Sequence, residues 1–549
     1  MRRLSTCRLR YSLVSPLARC PSRPNCAQRG LLPENTMSES RCLSQVSFGG
    51  LSRYQQSADD QEEQSHSSGS NFKSTLYKVF ETGATTLASI LILGAAGYSY
   101  HKYYKHLILE KMEDAFRPGN RILQVANIES GVVQSHYEER WGIRDEQKKV
   151  DRVIAGSGKG QYFLIIGEKG TGKTSLVLEA MRKVDGEGVA MFDAHNDFEI
   201  FRIRLGKALD YEFHEGYVGG LFSIKGPRDR TAILDIERAF DVLEKAALRR
   251  RKRGLTPFVL VINSMHLIRE GQAGEDLLAI LQHRAERWAE SNLVTMVFNS
   301  RDYWVYERLR RNAKRMDVIA VSDLPKREAM EALKMYRSRY FGEELPSKIL
   351  EDVYDLVGGR ISFLNQVATS KDMIRSCMEI HEQEKTWFLN TCWILGNDID
   401  IEELTEQKYC LAAVNLARAL VDKDSHIEKQ YDLSEGYVLP EIPLHDARRI
   451  MARGDFIQGC NQDNIFTIDS RAMVRAVSVP MQRVFREICS EPGFEEHREA
   501  TEKRIDEIES LLRTREISLK DLESKRYRLS IQDSKGQETG SAELAVGSN

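Results

Sequence analysis

No C-x-x-C pair occurs among the nine cysteines of this 549-residue chain. That removes the common zinc modules and a disulfide framework from consideration. Cys7, Cys20, Cys26 and Cys42 lie near the start, and five singles follow from Cys377 onward, so a reducing compartment suits the folded part. Charge of one sign is also missing: 79 Lys and Arg stand against 81 Asp and Glu, a formal net charge of −2. Bulk charge therefore suggests neither a nucleic-acid binder nor an enzyme of acidic substrates. Long apolar runs are scarce.

Acids are absent from the first 33 residues, which hold seven arginines (Arg2, Arg3, Arg8, Arg10, Arg19, Arg23 and Arg29) and several serines. That is the composition of a mitochondrial transit peptide, with a disordered basic tail as the bland alternative; Pro16, Pro21, Pro24 and Pro33 limit any long helix there. Residues 34–72 are Ser-, Gln- and acid-rich and read as a disordered linker. Thr82 to Tyr100 is uncharged over 19 residues, enough to cross a hydrocarbon core of about 30 Å. Tyr98, Tyr100, Tyr103 and Tyr104 suit an interface at its end. A transmembrane helix over 82–100 behind such a leader points to the mitochondrial inner membrane. Lys73 and Lys78 precede the span, whereas Lys102, Lys105, Lys111, Arg117 and Arg121 follow it, which places the bulk of the chain in the matrix. A stop-transfer helix would instead leave it in the intermembrane space.

Tyr162–Gly167 (YFLIIG) is a short apolar run fit for a buried parallel strand. It leads into GEKGTGKT, Gly167 to Thr174, which satisfies G-x-x-x-x-G-K-[ST]. Gly167, Gly170 and Gly172 let a loop wrap so that backbone N–H groups face phosphate oxygens. Lys173 reaches the β- and γ-phosphates of ATP, and Thr174 offers a hard oxygen to Mg²⁺. Ser175 follows in the first turn of a helix whose dipole favours the anion; Val177, Ala180, Met181 and Val184 carry its periodicity.

Pro257–His266 (PFVLVINSMH) is the candidate second strand of this site, with Asn263 and Ser264 as its polar pair. Such strands usually end in one acid for the Mg²⁺ shell and another to activate water. An amide oxygen can still serve the metal, but a serine is a poor general base, so hydrolysis is in doubt while binding is not. His266 polarises a water or is simply packed. Leu293–Phe298 gives another strand and ends in Asn299, Ser300 and Arg301. In a parallel sheet these lie where the ligand binds, with Arg301 able to meet a γ-phosphate; capping of the next helix is the competing role.

The order Trp141-Gly-Ile-Arg144-Asp-Glu146, P-loop, VLVINSMHLI, VFNSRD and Val357-Gly358-Gly359-Arg360 resembles the AAA+/STAND class of P-loop ATPases, and within it the archaeal-type and origin-recognition-like domains. The resemblance covers roughly 140–370. It implies that Ile143, Arg144 and Glu146 border the adenine, that Ser300 and Arg301 sense the γ-phosphate, and that a helical lid begins at Leu324. It also implies that Gly358 and Gly359 face the nucleotide, with Arg360 near the phosphates. Asn263 and Ser264 depart from the two acids of that class.

The fold class expected is α/β: a P-loop parallel sheet (140–322), a helical lid (323–390), then an α-rich, winged-helix-like domain (400–490), a coiled coil (494–529) and a disordered tail (530–549). The wing is expected as a hairpin of Phe456-Ile457 with Asn464–Ile468, followed by a helix from Arg471 to Cys489. Arg448, Arg449 and Arg453 would suit a DNA-reading face, but Asp446 and Asp455 dilute it, and a protein-interaction role is preferred. Arg249–Arg253 (RRRKR) reads as a surface loop that is either solvated or bound to phosphate or lipid headgroups. Ile505, Ile508, Leu512, Leu519, Leu522 and Leu529 approximate a heptad seam, as a short coiled coil or helical hairpin that would allow self-association, with a solvated helix as the alternative. The leading reading is an ATP- and Mg²⁺-binding switch or scaffold on the inner membrane. An active AAA+ remodeller and a nucleic-acid module of mitochondrial genome maintenance remain as alternatives.

Overall fold

The computed structural model describes residues 71–119, 144–213, 231–269, 271–427, 436–515, 526–532 and 538–545. The leader, most of the linker and Ile143 lie outside these residues. The chain divides into two units, Met1–Thr85 and Thr86–Asn549. The described part of the first is helical throughout, and there the Thr85 hydroxyl donates back to the carbonyls of Glu81 (2.9 Å) and Thr82 (3.0 Å). A polar side chain so satisfied costs an apolar helix little.

Helix α1 spans Asn71–Asp114. Its stretch from Phe80 is long and apolar enough to cross a membrane, and Leu87, Ile90, Leu91, Ile92 and Leu93 are each more than 60% exposed. The end of the helix behaves differently. Met112 and Phe116 are fully buried, and the Phe116 ring stacks on Phe258 at 4.0 Å. The Phe116 carbonyl accepts from the Gly188 N–H at 2.8 Å. Arg253 pairs with Glu113 at 2.8 Å and Lys111 with Glu212 at 3.3 Å.

After α2 (Asp145–Ile154) come β1 (Tyr162–Ile166), α3 (Lys173–Lys183), β2 (Val189–Asp193), α4 (Phe198–Ala208), α5 (Ala232–Lys252) and β3 (Phe258–Asn263). Then follow α6 (Gln272–Ser291), β4 (Val294–Ser300), α7 (Tyr303–Asn312) and β5 (Met316–Ala320). The strands pair in the order β2-β3-β4-β1-β5, all parallel. Every residue of β1, β3 and β4 is buried, as a sheet covered on both faces requires. Alternation divides them. Tyr162, Leu164, Leu260, Ile262, Met296 and Phe298 pack with α5 and α6, while Phe163, Ile165, Val259, Val261 and Val297 pack with α2 and α3. Arg249–Lys252 is the last turn of α5 rather than a loop, where cations complement the helix dipole. Arg250 lies over the Phe258 ring and Arg251 donates to Ser291 O, so much of this basic run is occupied within the fold.

Helices α8 (Lys326–Phe341), α9 (Ser347–Val357), α10 (Ile361–Thr369) and α11 (Met373–Thr391) form a bundle with its own core, Leu324 to Ile380. Next come α12 (Leu404–Ile427), β6 (Ile442–Pro443), α13 (Leu444–Ile450), α14 (Gly454–Gln462), β7 (Phe466–Ile468), β8 (Met473–Ala476) and α15 (Val479–Ser490). The expected hairpin is misplaced by one element. Phe456 and Ile457 are buried residues of α14, and the wing is β7 with β8, to which β6 adds a third antiparallel strand. Met473, expected in a helix, is therefore in a strand, and the helix begins only at Val479, capped by Ser478.

The coiled coil also differs from expectation. Helix α16 (Phe494–Arg515) buries Ile505 and Ile508 against Ile399, Leu404 and Leu411 of the same chain, so the first part of the seam is already covered. Residues 526–532, at the end of the supposed coil, form β9. This strand pairs antiparallel with β10 (Glu538–Ala545), in the tail expected to be disordered.

Candidate nucleotide site

Strand β1 delivers the chain into the loop 167–172, and α3 begins at Lys173 with Gly172 as its cap, which makes no side-chain capping bond. The first-turn N–H groups thus have no side chain to satisfy them and can receive an anion. A Cβ at Gly167 would strike the Val321 carbonyl oxygen, and one at Gly170, held at φ +85, would strike Ser362. Only glycine fits either position. Ser175 is exposed, while Lys173 and Thr174 are half-buried. The Lys173 ammonium donates to the carbonyls of Gly167 (2.8 Å) and Glu168 (2.7 Å). Burial lowers its pKa to about 8, an effect to which Arg360 and Arg301 add.

At the carboxyl ends of the strands the polar groups converge. Asn263 accepts from the Thr174 hydroxyl at 3.3 Å and from the Asn299 amide at 2.6 Å. Its own amide donates to Asp193 at 2.6 Å. Ser264 sits in a left-handed conformation, φ 56, and its hydroxyl donates to the same Asp193 oxygen at 3.3 Å. A strained non-glycine backbone at a strand end is common at functional sites. His266 is half-buried; burial, with Arg301 and Lys173 nearby, pushes its pKa down to about 4, so it is neutral at physiological pH.

Ser300 is buried and its hydroxyl accepts from the N–H of Asp302, the residue that caps α7, at 3.2 Å. Arg301 is a quarter exposed beside Asp302, and burial raises the Asp302 pKa to about 6. Arg144 is buried, and it donates to the carbonyls of Thr171 (3.0 Å) and Ser322 (2.5 Å), fastening the phosphate loop to the segment after β5.

Arg360 is likewise committed to protein. Its guanidinium grips both oxygens of Asp323 at 3.0 Å and reaches the Val477 carbonyl at 2.5 Å. Gly358 and Gly359 pack on Val479 and Leu324 respectively, and the Ser362 N–H donates to the Gly170 carbonyl at 3.2 Å. The bundle therefore covers the phosphate loop. A second cover was invisible in the sequence: Arg475, on strand β8 and half-buried, forms an ion pair with the buried loop residue Glu168 at 2.6 Å. Burial alone would raise the Glu168 pKa, but Arg475 and Arg360 outweigh it and hold the carboxyl below its ordinary value.

The donor set fits a magnesium nucleotide. An uncapped helix start, a lysine and an arginine suit the phosphates, and the Thr174 hydroxyl with the Asn263 amide oxygen would serve the metal shell.

Residues 143–296 match the family described as AAA ATPase domain, and residues 390–509 match the C-terminal winged helix domain of fungal AAA proteins. No curated protein matches the chain. Similar solved structures include a Walker-type ATPase of Pyrococcus abyssi (14% identity, TM-score 0.42, covering 65% of this chain and 98% of that one). Another is Cdc6p of Pyrobaculum aerophilum (12%, TM-score 0.30, covering 65% and 97%). A third is the Aeropyrum pernix Orc1 protein, solved in complex with DNA (13%, TM-score 0.30, covering 65% and 93%). A parallel P-loop sheet whose first three strands lie within one matched region and a three-stranded wing within the other lead to a single statement: the chain has an AAA-type P-loop fold followed by a winged-helix domain.

Proposed function

We propose that this protein is an ATP-binding switch of AAA+/STAND type, anchored by α1 in the mitochondrial inner membrane with its bulk in the matrix. The observation that carries the switch is the Arg475–Glu168 pair, which ties the wing directly to the phosphate loop. Lys173, Thr174, Ser175, Arg301 and the loop glycines bind the triphosphate, with Thr174 and Asn263 toward Mg²⁺. Phosphates entering the loop draw Lys173 off the Gly167 and Glu168 carbonyls and compete with Glu168 for cations. The wing and the bundle then settle into a second arrangement, and ATP shifts the population only by its differential affinity for the two. Asn263 and Ser264 in place of two acids favour a switch over a motor. On the winged-helix surface Arg449 pairs with Asp446 and Arg453 with Asp455, which favours a protein partner over nucleic acid.

The test is equilibrium binding of ATP with Mg²⁺ to the full-length protein, alongside steady-state phosphate release. Saturable binding lost in Lys173→Ala is expected, as is tighter binding in Glu168→Leu with Arg475→Met, where the latch is removed without leaving a buried carboxylate in the loop. Absence of saturable binding in the wild type would overturn the reading. Phosphate release at motor rates, abolished by Lys173→Ala, would replace the switch with a remodelling ATPase.

A further inference from the structure

The strand that usually brings an acid to this site brings an amide, yet a carboxylate is present one strand over. Asp193 ends β2 and Asn263 ends β3, and the two are direct partners in the parallel register. Asn263 donates its Nδ2 to Asp193 Oδ1 at 2.6 Å. A carboxylate only accepts, so it captures the NH₂ end of the amide and leaves the carbonyl oxygen facing Thr174 Oγ1 (3.3 Å) and Asn299 Nδ2 (2.6 Å). The Ser264 hydroxyl donates to the same carboxylate oxygen, so both of these donors are neutral and leave its charge in place. The end of β2 is itself fixed: Arg204 donates to the main-chain carbonyls of Asp193 (3.1 Å) and Ala194 (3.0 Å), and the Ala194 N–H donates to Asn263 O at 2.8 Å. Other carboxylates of the site are engaged elsewhere. Glu168 is held by Arg475, and Asp302 sits against Arg301.

We infer that acid and amide have exchanged strands in this protein, and that Asp193 is the positioning residue that aims the Asn263 oxygen at the metal shell of a bound nucleotide and supplies the negative charge β3 lacks. This rests on the nucleotide-binding reading above. A charge-assisted hydrogen bond both orients the amide and makes its oxygen a better acceptor through polarisation along the chain Asp193–Asn263–Thr174. The role is specific to the metal. Without Mg²⁺ the phosphate loop and Lys173 bind the triphosphate, and a carboxylate nearby contributes nothing favourable.

The readout is the ratio of ATP dissociation constants measured in EDTA and in Mg²⁺ on the full-length protein, for wild type, Asp193→Asn and the exchanged double variant Asp193→Asn/Asn263→Asp. The single variant is expected to lower the ratio about tenfold, the loss of one hydrogen bond to a charged group, with affinity in EDTA unchanged or slightly better. The exchanged variant restores the ratio, because acid and amide again face each other across β2 and β3. A merely structural role for Asp193 would move the melting temperature and leave the ratio alone. A wild-type ratio in Asp193→Asn, or an exchanged variant no better than the single one, overturns the inference while nucleotide binding stands. Failure of the wild type to bind ATP at all removes both. If the single variant does not fold, the exchanged variant decides alone: it must show the wild-type ratio.

Discussion

Lys173 meets its ligand with a proton affinity set by burial. In the unliganded protein the unfolded chain holds more proton between about pH 8 and the ordinary lysine value. The burial penalty on its charge is therefore fully present below that window and relieved as pH rises through it. Phosphates in the loop restore the preference for the ammonium, so ATP binding near pH 9 should take up a proton that binding near pH 6.5 does not. Calorimetry in buffers of different ionisation enthalpy reads this directly, and the uptake should vanish in Lys173→Arg, whose guanidinium stays charged at both pH values. Glu168 carries a second prediction. Glu168→Gln removes the nearer of the two anions on Arg475, leaving Glu441 at 3.6 Å, and should destabilise the protein by about 1.5–3 kcal/mol in denaturant unfolding, whereas Glu168→Leu with Arg475→Met should cost less. The phosphate loop was legible from the spacing of Gly167, Gly172, Lys173 and Thr174. Its cover was not: Arg475 lies 307 residues from Glu168, and no local pattern marks a pair made by tertiary packing. Asp193 was equally hidden, because its meaning depends on which strand stands beside β2.

Elements announced themselves in proportion to the length of their pattern. The strands β1, β3 and β4 are continuous apolar runs between turn residues, and they fell where the sequence placed them. Phe456 and Ile457 did not, since two adjacent apolar residues satisfy a strand and a helix alike, and helix α14 won by burying both with Cys460. In α16 the periodicity was read correctly but assigned to the wrong partner. Ile505 and Ile508, one turn apart, fill a groove offered by Ile399, Leu404 and Leu411. Ile508→Ala should accordingly cost about 2–5 kcal/mol of stability and leave the sedimentation coefficient of the folded protein unchanged. A coiled coil would give the opposite pattern, with dissociation as the main effect.

Taken as a whole, the chain ties three things to one loop: the bundle through Ser362, the wing through Arg475, and the segment after β5 through Arg144. The same economy governs the amino-terminal helix. Its end is part of the core rather than a tether, so Phe116→Ala, which empties the space above Phe258, should cost about 3–5 kcal/mol and expose the junction to limited proteolysis. A bilayer around residues 82–100 would leave the helix free between Tyr100 and Leu109, where packing on the core begins, a shaft of about 14 Å at 1.5 Å per residue. The P-loop domain would then be held off the lipid by this short post. Its swivel about the membrane normal would have to come from rotation of the entire post, and any partner reaching the underside would have to be slim enough to pass through that clearance.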